Sequence, residues 1–164
     1  MRILGLAGWS GVGKTTLLTQ LIPHLRAGGI SVSTIKHAHH AFDIDQPGKD
    51  SYRHREAGAG EVLIASSRRW ALMHELRNEA EPSLADLLGH LSPVDLVLVE
   101  GFRRHPHPKL EVHRPSLGKP LLCLEDRHIV AVATDAPLAA PVPTIDLGDL
   151  YALAKCVRAA AQPL

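Results

Sequence analysis

A chain of 164 residues with 45% hydrophobic and 21% charged side chains has the balance of an ordinary globular protein and is long enough to bury a core without covalent staples. Its formal net charge of +1 excludes a general attraction to nucleic acid or to a membrane surface, so any anion has to be held by a local site. Cys123 and Cys156 are too few for a disulfide framework and too far apart for a Cys-x-x-Cys metal site, and they suit a reducing cytoplasm. With no apolar run of membrane-spanning length and no signal-peptide pattern, the expectation is one cytoplasmic domain over residues 1–164.

Ile3-Leu4-Gly5-Leu6-Ala7 predicts a first strand, and Leu17, Leu18, Leu21, Ile22 and Leu25 recur at helical spacing up to Gly28-Gly29. Between them lies Gly8-Trp9-Ser10-Gly11-Val12-Gly13-Lys14-Thr15, so the pattern Gly-x-x-x-x-Gly-Lys-Thr sits between a strand and a helix, the context that gives it physical meaning. Glycine lets the backbone curl and approach closely, so that successive N–H groups converge on phosphate oxygens. The start of the helix adds unpaired N–H groups and a partial positive charge at the same spot. Gly8, Ser10, Gly11, Val12, Gly13, Lys14, Thr15 and Thr16 are therefore the candidate nucleotide-binding residues, with Lys14 reaching the outer phosphates and the Thr15 hydroxyl on Mg²⁺. Trp9 reads as a lid or packing residue. Pro23 predicts a kink in the helix, because an interior proline removes a backbone hydrogen bond at a cost of about 3 kcal/mol.

Residues 30–36 predict a second strand that delivers Lys36, a candidate phosphate or metal-shell cation, and His37 at its end. Residues 37–50 show no period and form a long loop, and a short helix follows from Asp50-Ser51 to about Gly58. Residues 61–66 and 70–74 predict two strands joined as a hairpin, and Glu81-Pro82 opens a helix carrying Leu84, Leu87, Leu88 and Leu91. Asp95-Leu96-Val97-Leu98-Val99-Glu100 is the clearest buried strand. After a basic loop from Phe102 to Pro108 come strands at 110–113, 120–124 and 129–134, and a helix over 149–161. Strands alternating with helices around this loop make the fold class α/β, a P-loop NTPase-like three-layer sandwich with a mainly parallel twisted sheet and helices on both faces.

Ligands of such sheets bind at the carboxyl ends of the strands. Asp95 and Glu100 bracket one strand and are separated by roughly 16 Å, so geometry favours Glu100 over Asp95 as the Mg²⁺ carboxylate. Asp43, Asp45 and Asp50 compete for a further carboxylate role, with an N-cap as the plain alternative for Asp50 and turns for the other two. Arg53, Arg55, Arg103 and Arg104 are candidates for a second phosphorylated partner. His37, His39 and His40, and His105, His107 and His113, raise a metal reading without the spacing of a strong site.

Three blocks together resemble a known family: Gly8 to Leu17; Thr34-x-Lys36-His37-x-His39-His40-x-Phe42-Asp43-x-Asp45-x-Pro47-Gly48-Lys49-Asp50-Ser51-Tyr52-Arg53; and Leu98-Val99-Glu100-Gly101-Phe102. The family is that of molybdopterin-guanine dinucleotide biosynthesis protein B (MobB), and the middle block is the specific one. The resemblance implies a homodimer that binds GTP with Mg²⁺, hydrolyses it weakly, and assists the guanylyltransferase MobA in converting the molybdopterin cofactor to its guanine dinucleotide form. By position it implies phosphate contacts from Gly11 to Thr16, Mg²⁺ on Thr15 and Glu100, and Asp50 beside the γ-phosphate or metal, so that Lys14, Asp50 and Glu100 form the catalytic set. No Asn-Lys-x-Asp guanine motif is present; Thr134-Asp135 is a possible substitute, with a turn aspartate as the simpler reading. A small-molecule kinase with Arg103 and Arg104 in a lid, and a metallochaperone GTPase using the histidines, are the alternatives.

Overall fold

Residues 1–38 and 42–164 are described by the computed structural model. In chain order they form β1 (Arg2–Ala7), α1 (Lys14–Ala27), β2 (Val32–Lys36), α2 (Asp50–Glu56), β3 (Glu61–Ala65), β4 (Trp70–His74), α3 (Leu84–Gly89), β5 (Leu96–Glu100), β6 (Lys109–His113), β7 (Ile129–Thr134), β8 (Thr144–Asp146), α4 (Leu150–Ala160) and β9 (Gln162–Pro163). The chain divides into two compact units, one of residues Met1–His37 and Leu87–Leu164, the other of Ala38–Asp86 inserted between them.

The first unit is built on a sheet in the order β2-β5-β1-β6-β7-β8, with β9 added antiparallel to β1. The other pairings are parallel, and β1 lies between β5 and β6 with Leu4 opposite Leu98 and Leu6 opposite both Glu100 and Leu110. Alternation along the strands sends Leu4, Leu6, Leu98, Leu110, Val112 and Ala133 to one face, where they meet Leu17, Leu18, Leu21 and Leu25 of α1 and Leu153 and Val157 of α4. Ala7 and Val132 point the other way, into a smaller cluster with Cys123 and Ile129. Both faces are thus buried, which is why β5 reads as an unbroken apolar run.

Differences from the expected elements have local causes. Residues 120–124 are not a strand: Leu122–Leu124 is a 3₁₀ turn, because the Leu122 and Cys123 N–H groups donate to the buried Glu111 carboxylate at 2.8 and 2.9 Å instead of to a neighbouring strand. α1 continues through Pro23 to Ala27 without restarting. Pro23 and Thr19 are both exposed, so water can reach the Thr19 carbonyl that loses its donor. α3 begins at Leu84, after Pro82, where Ser83 Oγ and the Asp86 backbone and carboxylate form reciprocal hydrogen bonds of 2.6 to 3.2 Å. β8 and β9 are too short to show a period of their own.

In the second unit β3 and β4 form the expected antiparallel hairpin, with Leu63 opposite Leu72 and Ala65 opposite Trp70. Little apolar surface is enclosed there. Arg55 of α2 instead gathers three carboxylates, Asp43 at 2.6 Å, Asp45 at 3.3 Å and Glu75 at 2.9 Å. Arg77 donates to the carbonyl oxygens of Arg55 and Ala59 at 3.4 and 3.0 Å.

Candidate nucleotide site

The loop between β1 and α1 is set by backbone conformations that a side chain resists. Gly8, Gly11 and Gly13 have φ of 144°, 81° and 100°. A Cβ on Gly8 would stand 2.6 Å from the Val112 carbonyl oxygen, so only glycine allows the loop to lie against β6. Gly13 caps α1 with no side-chain hydrogen bond to the first turn. The N–H groups of Lys14, Thr15 and Thr16 therefore have neither an intrahelical acceptor nor a capping side chain, which is the arrangement that receives a phosphate. Ser10, Gly11, Thr15 and Thr16 are exposed, and their hydroxyls and amides are open to a ligand.

Val12 differs from its neighbours. Its side chain is 1% exposed and packs into the core, so only its backbone belongs to the cradle. Lys14 Nζ lies over the loop, donating to the carbonyl oxygens of Gly8 at 2.9 Å and Trp9 at 3.0 Å. Burial lowers the pKa of this ammonium; Glu100 opposes the shift, and the positive charges of Arg103 and Lys36 reinforce it. Glu100, Arg103 and Lys36 are thus each close enough to Lys14 to act on its charge. Lys36 and Glu100 are register partners on β2 and β5, at the carboxyl ends of the strands as the sheet rule requires.

Asp95 lies at the opposite end of β5, where it accepts hydrogen bonds from Ser31 N at 2.8 Å and Ser31 Oγ at 2.6 Å. It ties the amino ends of two strands together. Of the two carboxylates, Glu100 lies at the carboxyl end of β5 and Asp95 at the other. Asp43, Asp45 and Asp50 belong to the second unit. The first two are engaged by Arg55, and Asp45 also accepts from Ser51 Oγ at 2.6 Å. Asp50 is the first residue of α2, not its cap, and among the described residues its carboxylate has no hydrogen-bond or ion-pair partner. Of the three, Asp50 alone keeps its acceptor oxygens uncommitted.

Asp135 is bound by Arg114, and the Thr134 hydroxyl donates to the Ala136 carbonyl at 3.1 Å and accepts from the Ala136 N–H at 3.4 Å. The turn reading of Thr134-Asp135 accounts for these contacts. Arg114 Nε also donates to the Val12 carbonyl at 2.9 Å, pinning the phosphate loop from β6. Sequence reasoning missed this residue, although the rule that singled out Glu100 applies equally to the residue following His113 at the end of β6. Glu111 was missed too; it is fully buried and organises the 3₁₀ turn beside the loop.

His107, His113 and His37 are engaged in packing. His107 is fully buried, with Nδ1 3.0 Å from His105 Nδ1 and Nε2 against the spot where a Cβ on Gly5 would be 2.4 Å away. Burial first, and then the charges of Lys109 and His105, push its pKa down to about 4. His113 is buried beside Glu111, and the His37 ring packs on Phe102 at 4.9 Å. His39 and His40 lie outside the described residues, among which no group of three metal-binding side chains is found. No helix among the described residues is long and apolar enough to cross a membrane.

A glycine-shaped loop between the central strand of a parallel sheet and a helix, with a lysine folded over it, defines a P-loop NTPase-like nucleotide-binding fold. Residues 3–135 match the family model for molybdopterin guanine dinucleotide synthesis protein B. The molybdopterin-guanine dinucleotide biosynthesis adapter protein of Escherichia coli (strain K12) is 47% identical over 158 residues, covering 94% of this chain and 90% of the relative. Its namesake in Haemophilus influenzae (strain ATCC 51907 / DSM 11121 / KW20 / Rd) is 44% identical, covering 95% and 87%. A crystal structure of molybdopterin-guanine biosynthesis protein B superposes with a TM-score of 0.73 at 29% identity, covering 93% of this chain and 94% of the other. The chain belongs to the MobB family.

Proposed function

We propose that the protein is a GTP-binding adaptor with weak Mg²⁺-dependent GTPase activity that assists conversion of the molybdopterin cofactor to its guanine dinucleotide form in the cytoplasm. The observation that carries this reading is the Lys14-covered phosphate cradle in a chain of this family. Adapter proteins of molybdopterin-guanine dinucleotide biosynthesis are relatives over nearly the whole chain, which supports the pathway and, with it, a guanylyltransferase such as MobA as the partner. Residues 1–164 act together as one nucleotide-binding protein in this reading, and as a homodimer.

Gly8, Ser10, Gly11, Val12, Gly13, Lys14, Thr15 and Thr16 hold the phosphates through backbone N–H groups and the Lys14 ammonium, and Lys36 adds a cation. The exposed Thr15 hydroxyl and the half-buried Glu100 carboxylate offer Mg²⁺ oxygen donors, and the family resemblance assigns Asp50 as a further carboxylate for the ion. When bound, the ion neutralises charge shared by the outer two phosphates. Glu100 would hold the ion, and Lys14 and Lys36 would stabilise the phosphoryl oxygens; weak hydrolysis fits a reading in which no glutamine or arginine is assigned to activate water.

The test is guanine dinucleotide cofactor formation by the purified guanylyltransferase with and without this protein. Stimulation by GTP, not ATP, and its loss in Lys14→Ala support the adaptor reading. No stimulation by the unmodified protein overturns it.

A further inference from the structure

The chain leaves Glu100 through two consecutive residues in the left-handed region, Gly101 at φ 100° and Phe102 at φ 49°. Glycine is required at the first, since a Cβ there would stand 2.5 Å from the His37 Cβ. Phe102 carries a side chain and adopts a conformation that such residues avoid. Its ring packs against His37 at 4.9 Å, a contact that holds the turn in place. Strained backbone of this kind survives where the surroundings over-determine it, and it concentrates at functional sites.

What the turn accomplishes is to aim Arg103. Its guanidinium carbon lies 5.6 Å from the centre of the Trp9 ring, inside the phosphate loop itself. The indole is fixed as a perch, because Trp9 Nε1 donates to the Pro120 carbonyl at 2.8 Å and Lys119 lies 6.0 Å from the same ring. Arg103 is exposed and makes no ion pair among the described residues. Its charge is nonetheless felt by Lys14. Three cations, Lys14, Lys36 and Arg103, therefore gather at one end of the sheet around the Glu100 carboxylate. Such a cluster repels itself until a polyanion arrives.

We propose that Arg103 is a terminal-phosphate-binding residue of this nucleotide site: the guanidinium, perched on Trp9, contacts the outer phosphate and stabilises charge that develops there. The position follows from its neighbours. Lys14 reaches the outer phosphates and Glu100 lies on the metal side, whereas the inner phosphate faces the helix amides. A planar guanidinium offers paired donors suited to phosphate oxygens. The inference rests on the nucleotide reading above, and its test separates the two.

Affinities for GDP and for a non-hydrolysable GTP analogue, both with Mg²⁺, are measured for the unmodified protein, Lys14→Ala, Arg103→Ala, Arg103→Lys and Trp9→Leu, each checked for an unchanged melting temperature. Losing one charged hydrogen-bond partner predicts that Arg103→Ala weakens the triphosphate about 10-fold or more while GDP changes less than about 2-fold. Arg103→Lys recovers part of the loss, Trp9→Leu shows a smaller loss of the same selectivity, and Lys14→Ala loses both ligands. An Arg103→Ala protein that binds both as before, or loses both equally, overturns the proposal and leaves the nucleotide site standing. Failure of the unmodified protein to bind either nucleotide overturns both.

Discussion

The two units of the chain solve the problem of order differently. In the first, a buried sheet holds a loop whose shape comes from glycines and whose anchors come from β6: Arg114 on the Val12 carbonyl and Val112 pressed against Gly8. In the second, helix α2 and the surrounding loop are held by one arginine shared among three carboxylates, with most of the hairpin's large apolar residues left exposed. Apolar packing and glycine-shaped turns of the first kind depend little on salt and pH. Ion pairs of the second kind depend on both.

That contrast can be broken most severely in the first unit. Lys109 is 2% exposed, and its ammonium donates to Asp126 at 2.9 Å and to the His105 carbonyl at 2.8 Å. Asp126→Ala leaves a buried cation without its carboxylate, and a loss of about 3 kcal/mol in urea unfolding is expected. Next comes Gly8→Ala, which places a methyl against the Val112 carbonyl at a φ that alanine resists. Strain of order 1–3 kcal/mol is expected, together with weakened nucleotide binding in calorimetry.

In the second unit the effects are smaller and local. Arg55→Met should speed hydrogen exchange and proteolysis within residues 42–86 while leaving the urea midpoint of the sheet nearly unchanged, and added salt should mimic part of it in the unmodified protein. A fall in the sheet's own midpoint would show that the two units do not differ in this way.

The smallest effects are pH dependences of opposite sign. The Ser51 hydrogen bond, ahead of Arg55, lowers the Asp45 pKa, so its stabilisation is complete above the ordinary value of 3.8 and is lost as pH falls through the lower folded value. Hydrogen bonds that the His74 ring donates to the Glu61 and then the Glu79 carboxylate raise its pKa, so that contribution is complete below 6.5 and is lost as pH rises through the higher folded value. Hairpin amide protection should therefore be highest between the two ranges, and His74→Gln should remove only the upper limb. Protection that rises steadily with pH would contradict the His74 assignment.

Much of this organisation could be read from the letters. The phosphate loop, α1, β5 and the hairpin follow from period, glycine placement and turn residues, and Glu100 follows from the geometry of a strand. The rest depends on partners far along the chain. Nothing near Leu122 foretells that Glu111 will take its N–H, and nothing near Arg114 foretells Val12, 102 positions away. Arg55 looks like any solvated charge until Asp43, Asp45 and Glu75 are brought to it. In the sequence Asp50 is set apart from Asp43 and Asp45 only by the family resemblance, and nothing near those two foretells that Arg55 engages them.

The place of β1 in the sheet has a consequence for synthesis on the ribosome. Both of its parallel neighbours, β5 and β6, are encoded after residue 95, and the intervening residues include a hairpin whose pairing is wholly local. The hairpin can therefore form early, while the strand that carries the phosphate loop emerges first and waits with both edges open until more than half of the chain has been made. Chaperone capture of stalled nascent chains should be strongest for lengths that end before Leu96, and should fall once Lys109–His113 has cleared the exit tunnel.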